Sequence, residues 1–162
     1  MRRVLMAMAV LIGIKALTMT GGKTSGSRLL ALNNPAGLKY HSIGWKGETG
    51  SDGTFSKFDT LDNGIRAMLI NATTQIDRGH NTIEKFITRW APKFENPTNN
   101  YIEFVTIYTG FKKDYIILPY MLPSVMAAVV LFENGQRGSD NYKFWLNKIT
   151  AKYQELRNKN RI

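Results

Sequence analysis

Residues 121–133 read MLPSVMAAVVLFE and are followed at once by Asn134-Gly135. This apolar run covers about three helical turns, so it predicts a buried helix that ends at Glu133. Asn-Gly is typical of a helix C-terminus that closes in the left-handed conformation. A carboxylate here opposes the helix dipole and is partly withdrawn from water, which is expected to raise its pKa. Glu133 is therefore a candidate general acid; the simpler interpretation is a solvated helix end.

A β-hairpin is predicted in the N-terminal half of the chain. The turn-rich segment NNPAGLKY at residues 33–40 is followed by WKGETG at residues 45–50 and FSKF at residues 55–58. Short aromatic runs separated by glycines are typical of a small hairpin. We expect this hairpin to occupy about residues 38–58.

Most of the remaining chain has helical periodicity, with apolar residues at three- and four-residue spacings. One predicted helix contains Ile65 and stops at Gly79. The next is expected to be capped by Asn81, with Glu84 three residues on, and to end before Pro92. Further helices are expected over residues 97–110, 121–133 and 140–157.

The composition limits the chemistry that the chain can perform. Its 162 residues are 43% hydrophobic, which suits one globular domain with a real core. Cysteine is absent, so disulfides, iron–sulfur clusters and thiol nucleophiles are excluded. His41 and His80 are the two histidines, and neither has metal-ligand spacing to another ligand. We therefore expect neither a metal nor another cofactor.

The formal net charge of +10 predicts an anionic partner. Nucleic acid, a membrane surface and the polyanionic bacterial wall all fit this charge. No helix-turn-helix spacing, zinc finger or RNA-binding aromatic motif is visible in the sequence, so we expect no specific binding of nucleic acid. A solvated basic surface without a dedicated partner is the alternative.

Residues 1–22 contain an apolar stretch directly after Arg2 and Arg3. A basic start followed by a short apolar segment predicts a membrane anchor or an uncleaved signal-like helix, bound to phospholipid. An interfacial or core helix is the alternative. The Gly/Ser-rich residues 23–31 are predicted to be a flexible hinge, and residues 32–162 to form the domain.

Five segments, in this order, resemble a family of short phage virion proteins that are often described only as structural. They are NNPAGLKY at residues 33–40, WKG at 45–47, DTLDNGIRA at 59–67, RWAP at 89–92 and ENG at 133–135. The resemblance spans about residues 32–150 and implies contacts with other virion proteins. Ala36 and Leu38 depart from the family, which usually has Gly and Asn there, so the resemblance does not define the contacts of this turn.

The first of these segments also resembles the Asn-Asn element of bacterial glucosaminidases, which lies beside the cleft in a lysozyme-like fold. In those enzymes the catalytic acid precedes this element, whereas residues 1–40 contain no acidic residue. We therefore expect a mainly α (α+β), lysozyme-like helical domain with a small β-hairpin. We also expect its element order to be circularly permuted, so that the helix ending at Glu133 supplies the missing acid.

This resemblance implies a peptidoglycan-degrading enzyme of lytic transglycosylase or muramidase/glucosaminidase type, which acts on the bacterial wall during entry or lysis. Glu133 is then the catalytic acid, and Glu48 is the candidate second carboxylate. The candidate substrate-binding residues are Asn33, Asn34, Tyr40, Trp45 and Tyr101.

The implied location is the phage virion, in association with a membrane, and the host cell envelope during entry or exit. The alternative function is a non-enzymatic, membrane-anchored virion structural protein that retains a lysozyme-like fold.

Overall fold

A computed structural model describes residues 25–91 and 98–162 of the protein. In chain order the elements are α1 (Ser25–Ala31), β1 (Glu48–Ser51), β2 (Ser56–Phe58), α2 (Leu61–Asp77), α3 (Ile83–Trp90), α4 (Thr98–Thr109), α5 (Leu122–Glu133) and α6 (Ser139–Asn158). A single 3-10 turn, Pro119–Met121, leads into α5. The predicted mainly α class with a small antiparallel sheet is thus confirmed.

Helix α5 lies at the centre of the core, as its apolar sequence predicts. All residues from Val125 to Leu131 are buried, and the helix packs against α4 and α6. A helix that is hydrophobic all round has no face to offer to water, so it takes the central position. It ends where the sequence predicts: Asn134 is the C-cap and Gly135 follows with a φ of 61°.

Helix α3 begins one residue later than the sequence predicts, because Thr82 rather than Asn81 is its N-cap. The Thr82 hydroxyl accepts a hydrogen bond from the backbone N–H of Lys85 at 3.2 Å. The Asn81 carbonyl instead accepts the N–H of Ile117 at 2.8 Å. This bond ties the segment before α3 to the connector before α5, and an isolated bridge between extended Thr82 and Ile116 lies beside it.

The predicted hairpin is confirmed, with strands shorter than the expected span. Glu48 lies opposite Phe58, and the register of β1 and β2 shifts between Glu48 and Gly50. An isolated bridge between Lys39 and Phe55 joins the Asn-rich turn to the hairpin. Phe58 is buried, so β2 attaches the hairpin to the helical core.

The N-terminal predictions are only partly within the described residues. The predicted anchor at residues 1–22 lies outside them. Residues 25–31 of the predicted hinge form α1, so this part is helical, and Leu29 within it is buried. The Asn34 N–H donates to the Leu29 carbonyl and joins the end of α1 to the Asn-rich turn. Within residues 25–91 and 98–162, no helix combines the length and the apolar character needed to cross a bilayer.

Asp52 closes the hairpin loop against α1. Arg28 Nε donates to Asp52 Oδ2 at 2.6 Å, and the carboxylate also accepts the backbone N–H groups of Thr54 and Phe55. The Arg28 hydrogen bond is the main cause that lowers the pKa of Asp52 from 3.8 to about 2. Because folding lowers this pKa, the ionised carboxylate stabilises the fold at pH values above the pKa of the unfolded chain. This contribution is lost as the pH falls through the pKa of the folded protein.

Asp52→Asn is therefore expected to weaken the dependence of stability on acid. Between about pH 4 and pH 2, the thermal midpoint of the wild type should fall more steeply than that of the variant. Circular dichroism melts over this range measure the difference. Asp114→Asn, at an exposed position, is the control that should follow the wild type. Identical profiles for Asp52→Asn and the wild type would contradict the assignment.

Candidate functional site

The Glu133 carboxylate is held at the end of α5 by a tyrosine from α4. Tyr101 Oη donates to Glu133 Oε1 at 2.9 Å. Tyr101 is fully buried, and its ring stacks on Phe132 with the centroids 3.7 Å apart. Glu133 itself is partly buried. One carboxylate oxygen therefore has a position fixed by two packed helices rather than by solvent.

The surroundings of Tyr101 keep its hydroxyl protonated. Burial is the largest cause that raises the pKa of Tyr101 well above its ordinary value, followed by the charge of Glu133 and the hydrogen bond to it. All three causes disfavour a negative charge on the Tyr101 oxygen beside the carboxylate. Tyr101 is consequently a permanent hydrogen-bond donor to Glu133 at neutral pH.

The end of α5 is attached directly to the Asn-rich turn, although the two are far apart in the sequence. Asn134 Nδ2 donates to the carbonyl of Pro35 at 2.7 Å and to that of Val130 at 2.7 Å. A β-carbon added to Gly37 would lie 3.6 Å from Glu133 Oε2. The structure thus brings Glu133 beside the turn at residues 33–40, as expected from the sequence.

Glu133 lines a groove of about 400 Å³ between this turn, the loop before the hairpin, and helices α2 and α3. The groove combines aromatic rings, side-chain amides and cations, and Glu133 is its one carboxylate among the described lining residues. The rings belong to Trp45, Phe55 and Trp90, the amides to Asn71 and Gln75, and the cations to Lys39, Arg78 and Arg89. Such a surface suits a polar ligand with flat apolar faces.

A larger hollow of about 570 Å³ lies elsewhere, between α3, α4 and the connector after α4. It contains Glu84 and Glu103, but Glu84 forms an ion pair with Lys113 at 3.7 Å, and both side chains are at least half exposed. An exposed pair of this kind is weakly held. The smaller groove has the carboxylate with a buried, directional partner, so it is the stronger candidate site.

Asn34 does not face the groove but holds the turn together from inside. Its side chain is fully buried; Nδ2 donates to the carbonyls of Leu38 at 2.8 Å and Ser56 at 2.9 Å. Its Oδ1 accepts the N–H of Leu38 at 2.8 Å. These bonds occupy the amide and leave it no surface for a ligand, so its role in the structure is to position the backbone beside Glu133.

Asn33 has a comparable structural role. Its φ is 54°, a left-handed conformation that asparagine tolerates better than most residues. Its Nδ2 donates to the carbonyl of Phe58 at 3.0 Å, which joins the turn to the end of β2. The Asn-Asn pair therefore explains the shape of the turn, and neither residue lines the groove.

Of the other site residues predicted from the sequence, one lines the groove and others lie in the structure around it. Glu48 Oε1 accepts from the Ser56 hydroxyl at 2.7 Å and Oε2 from the Gly44 N–H at 3.0 Å, so this carboxylate braces the loop. Tyr40 is 39% exposed and is not among the groove-lining residues. Trp45 does line the groove, as expected. Glu48 is not among the residues that line the groove with Glu133.

Four residues with clear contributions to the site were not predicted from the sequence. Trp90, Arg78 and Arg89 line the groove, and Asn134 ties it together. The RWAP and ENG segments contain three of them, but their sequence does not say towards which element the side chains turn. Arg78 follows α2 as its C-cap, a position where cations are common for reasons of helix stability alone.

The described residues define a mainly α domain with a two-stranded sheet, in which a carboxylate at a helix end faces an aromatic and cationic groove. The chain is 40% identical over 115 residues to Protein P5 of Pseudoalteromonas phage PM2. This match covers 67% of this chain and 72% of that protein. The chain therefore belongs to the family of this phage protein. No protein-family model matches it.

Proposed function

We propose that this protein is a phage virion protein that binds glycan strands of peptidoglycan in the groove and cleaves them with Glu133 as the general acid. The observation that carries the proposal is the Glu133 carboxylate, held by buried Tyr101 and facing a groove with tryptophan walls. Membership of a phage protein family supports the virion location and contacts with other virion proteins.

The reactive form in the proposed mechanism is protonated Glu133 beside the glycosidic oxygen, whereas the hydrogen bond from Tyr101 holds the carboxylate form in place between turnovers. The proton of Glu133 passes to the glycosidic oxygen while the bond from that oxygen to the sugar C1 breaks, which leaves an oxocarbenium-like sugar and a Glu133 carboxylate. An attacking oxygen then forms the new bond to C1 and gives its proton to Glu133. The attacking group is either water or the 6-hydroxyl of the muramic acid itself, and in both cases the acid is regenerated.

Attack by the sugar hydroxyl agrees better with the described site. Hydrolysis usually requires a second carboxylate that acts on water or on C1. Among the described residues that line the groove, Glu133 is the one that carries a carboxylate. The Glu48 carboxylate is hydrogen-bonded to Ser56 and Gly44 instead. We therefore favour a lytic transglycosylase reaction that forms an anhydro sugar.

The groove walls are suited to sugar rings. Trp45 and Trp90 present flat apolar surfaces, and Asn71 and Gln75 add amide groups that can exchange hydrogen bonds with hydroxyls. The position of α5 beside the Asn-rich turn also supports the circularly permuted, lysozyme-like arrangement. Glu133 comes after the hairpin in the sequence, yet it lies beside the turn, because the hydrogen bond from Asn134 to the Pro35 carbonyl holds the end of α5 there.

The proposal includes attachment to an envelope surface. Residues 1–22 are proposed to anchor the protein in a virion or host membrane during entry or exit. The net charge of +10 supports retention near anionic lipids and wall polymers, where the domain meets its substrate.

Tyr101→Phe is expected to slow cleavage about tenfold, because removing the hydroxyl releases Glu133 Oε1 from its fixed position. KM should change little, since Tyr101 is buried and is not among the groove-lining residues. Dye release from labelled peptidoglycan, measured over a range of pH, gives the rate and its acid limb. A rate and pH profile equal to those of the wild type would contradict the positioning role.

A zymogram with embedded peptidoglycan tests the proposed function. Wild type should clear the gel, Glu133→Gln should not, and Glu48→Gln is the matched carboxylate control that should clear it. Clearing by Glu133→Gln equal to that of the wild type would contradict the assignment of the acid. Absence of clearing by wild type that still co-sediments with peptidoglycan would favour the non-enzymatic virion protein.

A further inference from the structure

Two arginines line the groove, and neither forms an ion pair with a carboxylate among the described residues. Arg78 is the C-cap of α2, and Arg89 lies in the last turn of α3. Both residues are exposed. Among the described residues, neither arginine takes part in an ion pair. Their guanidinium groups are therefore available to an anion that enters the groove.

A cation at a helix C-terminus is stabilised by the helix dipole, so one such arginine would need no ligand. Here two separate helices bring their terminal arginines to the same groove. Asn71, Gln75 and Arg78 are spaced by four and three residues, which puts them on one face of α2. Arg78 thus follows the amides that are proposed to contact the sugar, and Arg89 lines the same groove from α3.

We propose that Arg78 and Arg89 form a carboxylate-binding subsite, so that the preferred ligand is a glycan carrying acidic peptide stems rather than a neutral glycan. Guanidinium groups match the planar, two-oxygen geometry of a carboxylate and form paired hydrogen bonds with it. The inference rests on the proposed function, because it places the peptide-bearing sugar in the groove that contains Glu133.

The test is a binding measurement with the full chain carrying Glu133→Gln, so that the ligand is not consumed. The probes are a muramic-acid disaccharide with a tetrapeptide stem and the same molecule with its carboxylates converted to amides. Arg78→Gln with Arg89→Gln is expected to weaken binding of the acidic probe about tenfold. Binding of the amidated probe should change by less than about twofold.

Lys57→Gln with Lys85→Gln is the matched control. It removes the same charge from two exposed residues outside the groove and should leave both affinities unchanged. An equal loss in this control, or no effect of the arginine changes on the acidic probe, would overturn the subsite. Failure of both probes to bind even before the arginine changes would instead overturn the proposed function, and the subsite with it.

Discussion

Replacing Glu133 with glutamine is expected to lower the rate of glycan cleavage by about 10²–10⁴-fold, the usual contribution of a positioned acid–base group. Glutamine keeps the size of the side chain and can still accept the hydrogen bond from Tyr101, but it cannot give up a proton to the glycosidic oxygen. Initial rates of dye release from labelled peptidoglycan measure the effect.

Two controls separate loss of chemistry from loss of structure. Thermal melting of Glu133→Gln should stay close to that of the wild type, and co-sedimentation with peptidoglycan should be retained. Glu103→Gln, an exposed glutamate on α4, removes the same kind of charge away from the groove and should keep the wild-type rate. A Glu133→Gln rate within a factor of about two of the wild type would exclude a general-acid role.

Gly64→Ala is expected to have the largest effect on stability. A β-carbon at Gly64 would lie 1.8 Å from the carbonyl oxygen of Asn33, which is backbone and cannot rotate away. In an ordinary helix position alanine is favoured over glycine by about 1 kcal/mol, so the sign here is set by the clash. Overpacking typically costs about 1–3 kcal/mol, and the upper end of this range is expected here because the turn must move away from α2.

Urea unfolding followed by circular dichroism measures this change. Asp77→Ala, at an exposed position in the last turn of α2, is the control and should shift the free energy of unfolding by less than about 0.5 kcal/mol. Because the turn that moves also contains Gly37, beside Glu133, any folded Gly64→Ala protein should also lose activity. A variant as stable as the wild type would show that the turn and α2 do not approach this closely.

Much of the fold could be predicted because its signals are local. The apolar residues 121–133, the spacing in α2 and the glycine-rich hairpin each determine their own element, and all three are confirmed. The start of α3 was less predictable, since the choice between Asn81 and Thr82 depends on the bond between Asn81 and the distant Ile117. Helix α1 was missed because Gly and Ser give a weak helical pattern, and burial of Leu29 stabilises it.

The candidate site was predictable only in part, for a physical reason. Glu133 could be selected because the apolar helix before it and the Asn-Gly stop after it are adjacent in sequence. The sequence predicts Asn33 and Asn34 as ligand contacts, but the Asn34 side chain is hydrogen-bonded to buried backbone groups. This distinction depends on which way the side chain turns, and the sequence does not determine that. The arginines of the groove are brought together only by the packing of α2 and α3, so no local pattern identifies them.

Mass analysis of the soluble fragments released from purified peptidoglycan by the full chain tests the proposed activity most directly. Wild type should release muropeptides that end in anhydro-muramic acid, and Glu133→Gln should release none above the level without protein. Release of fragments with reducing ends would preserve Glu133 as the acid but would contradict the transglycosylase route. No release by wild type, or equal release by the wild type and Glu133→Gln, would contradict the proposal that Glu133 cleaves glycan in this groove.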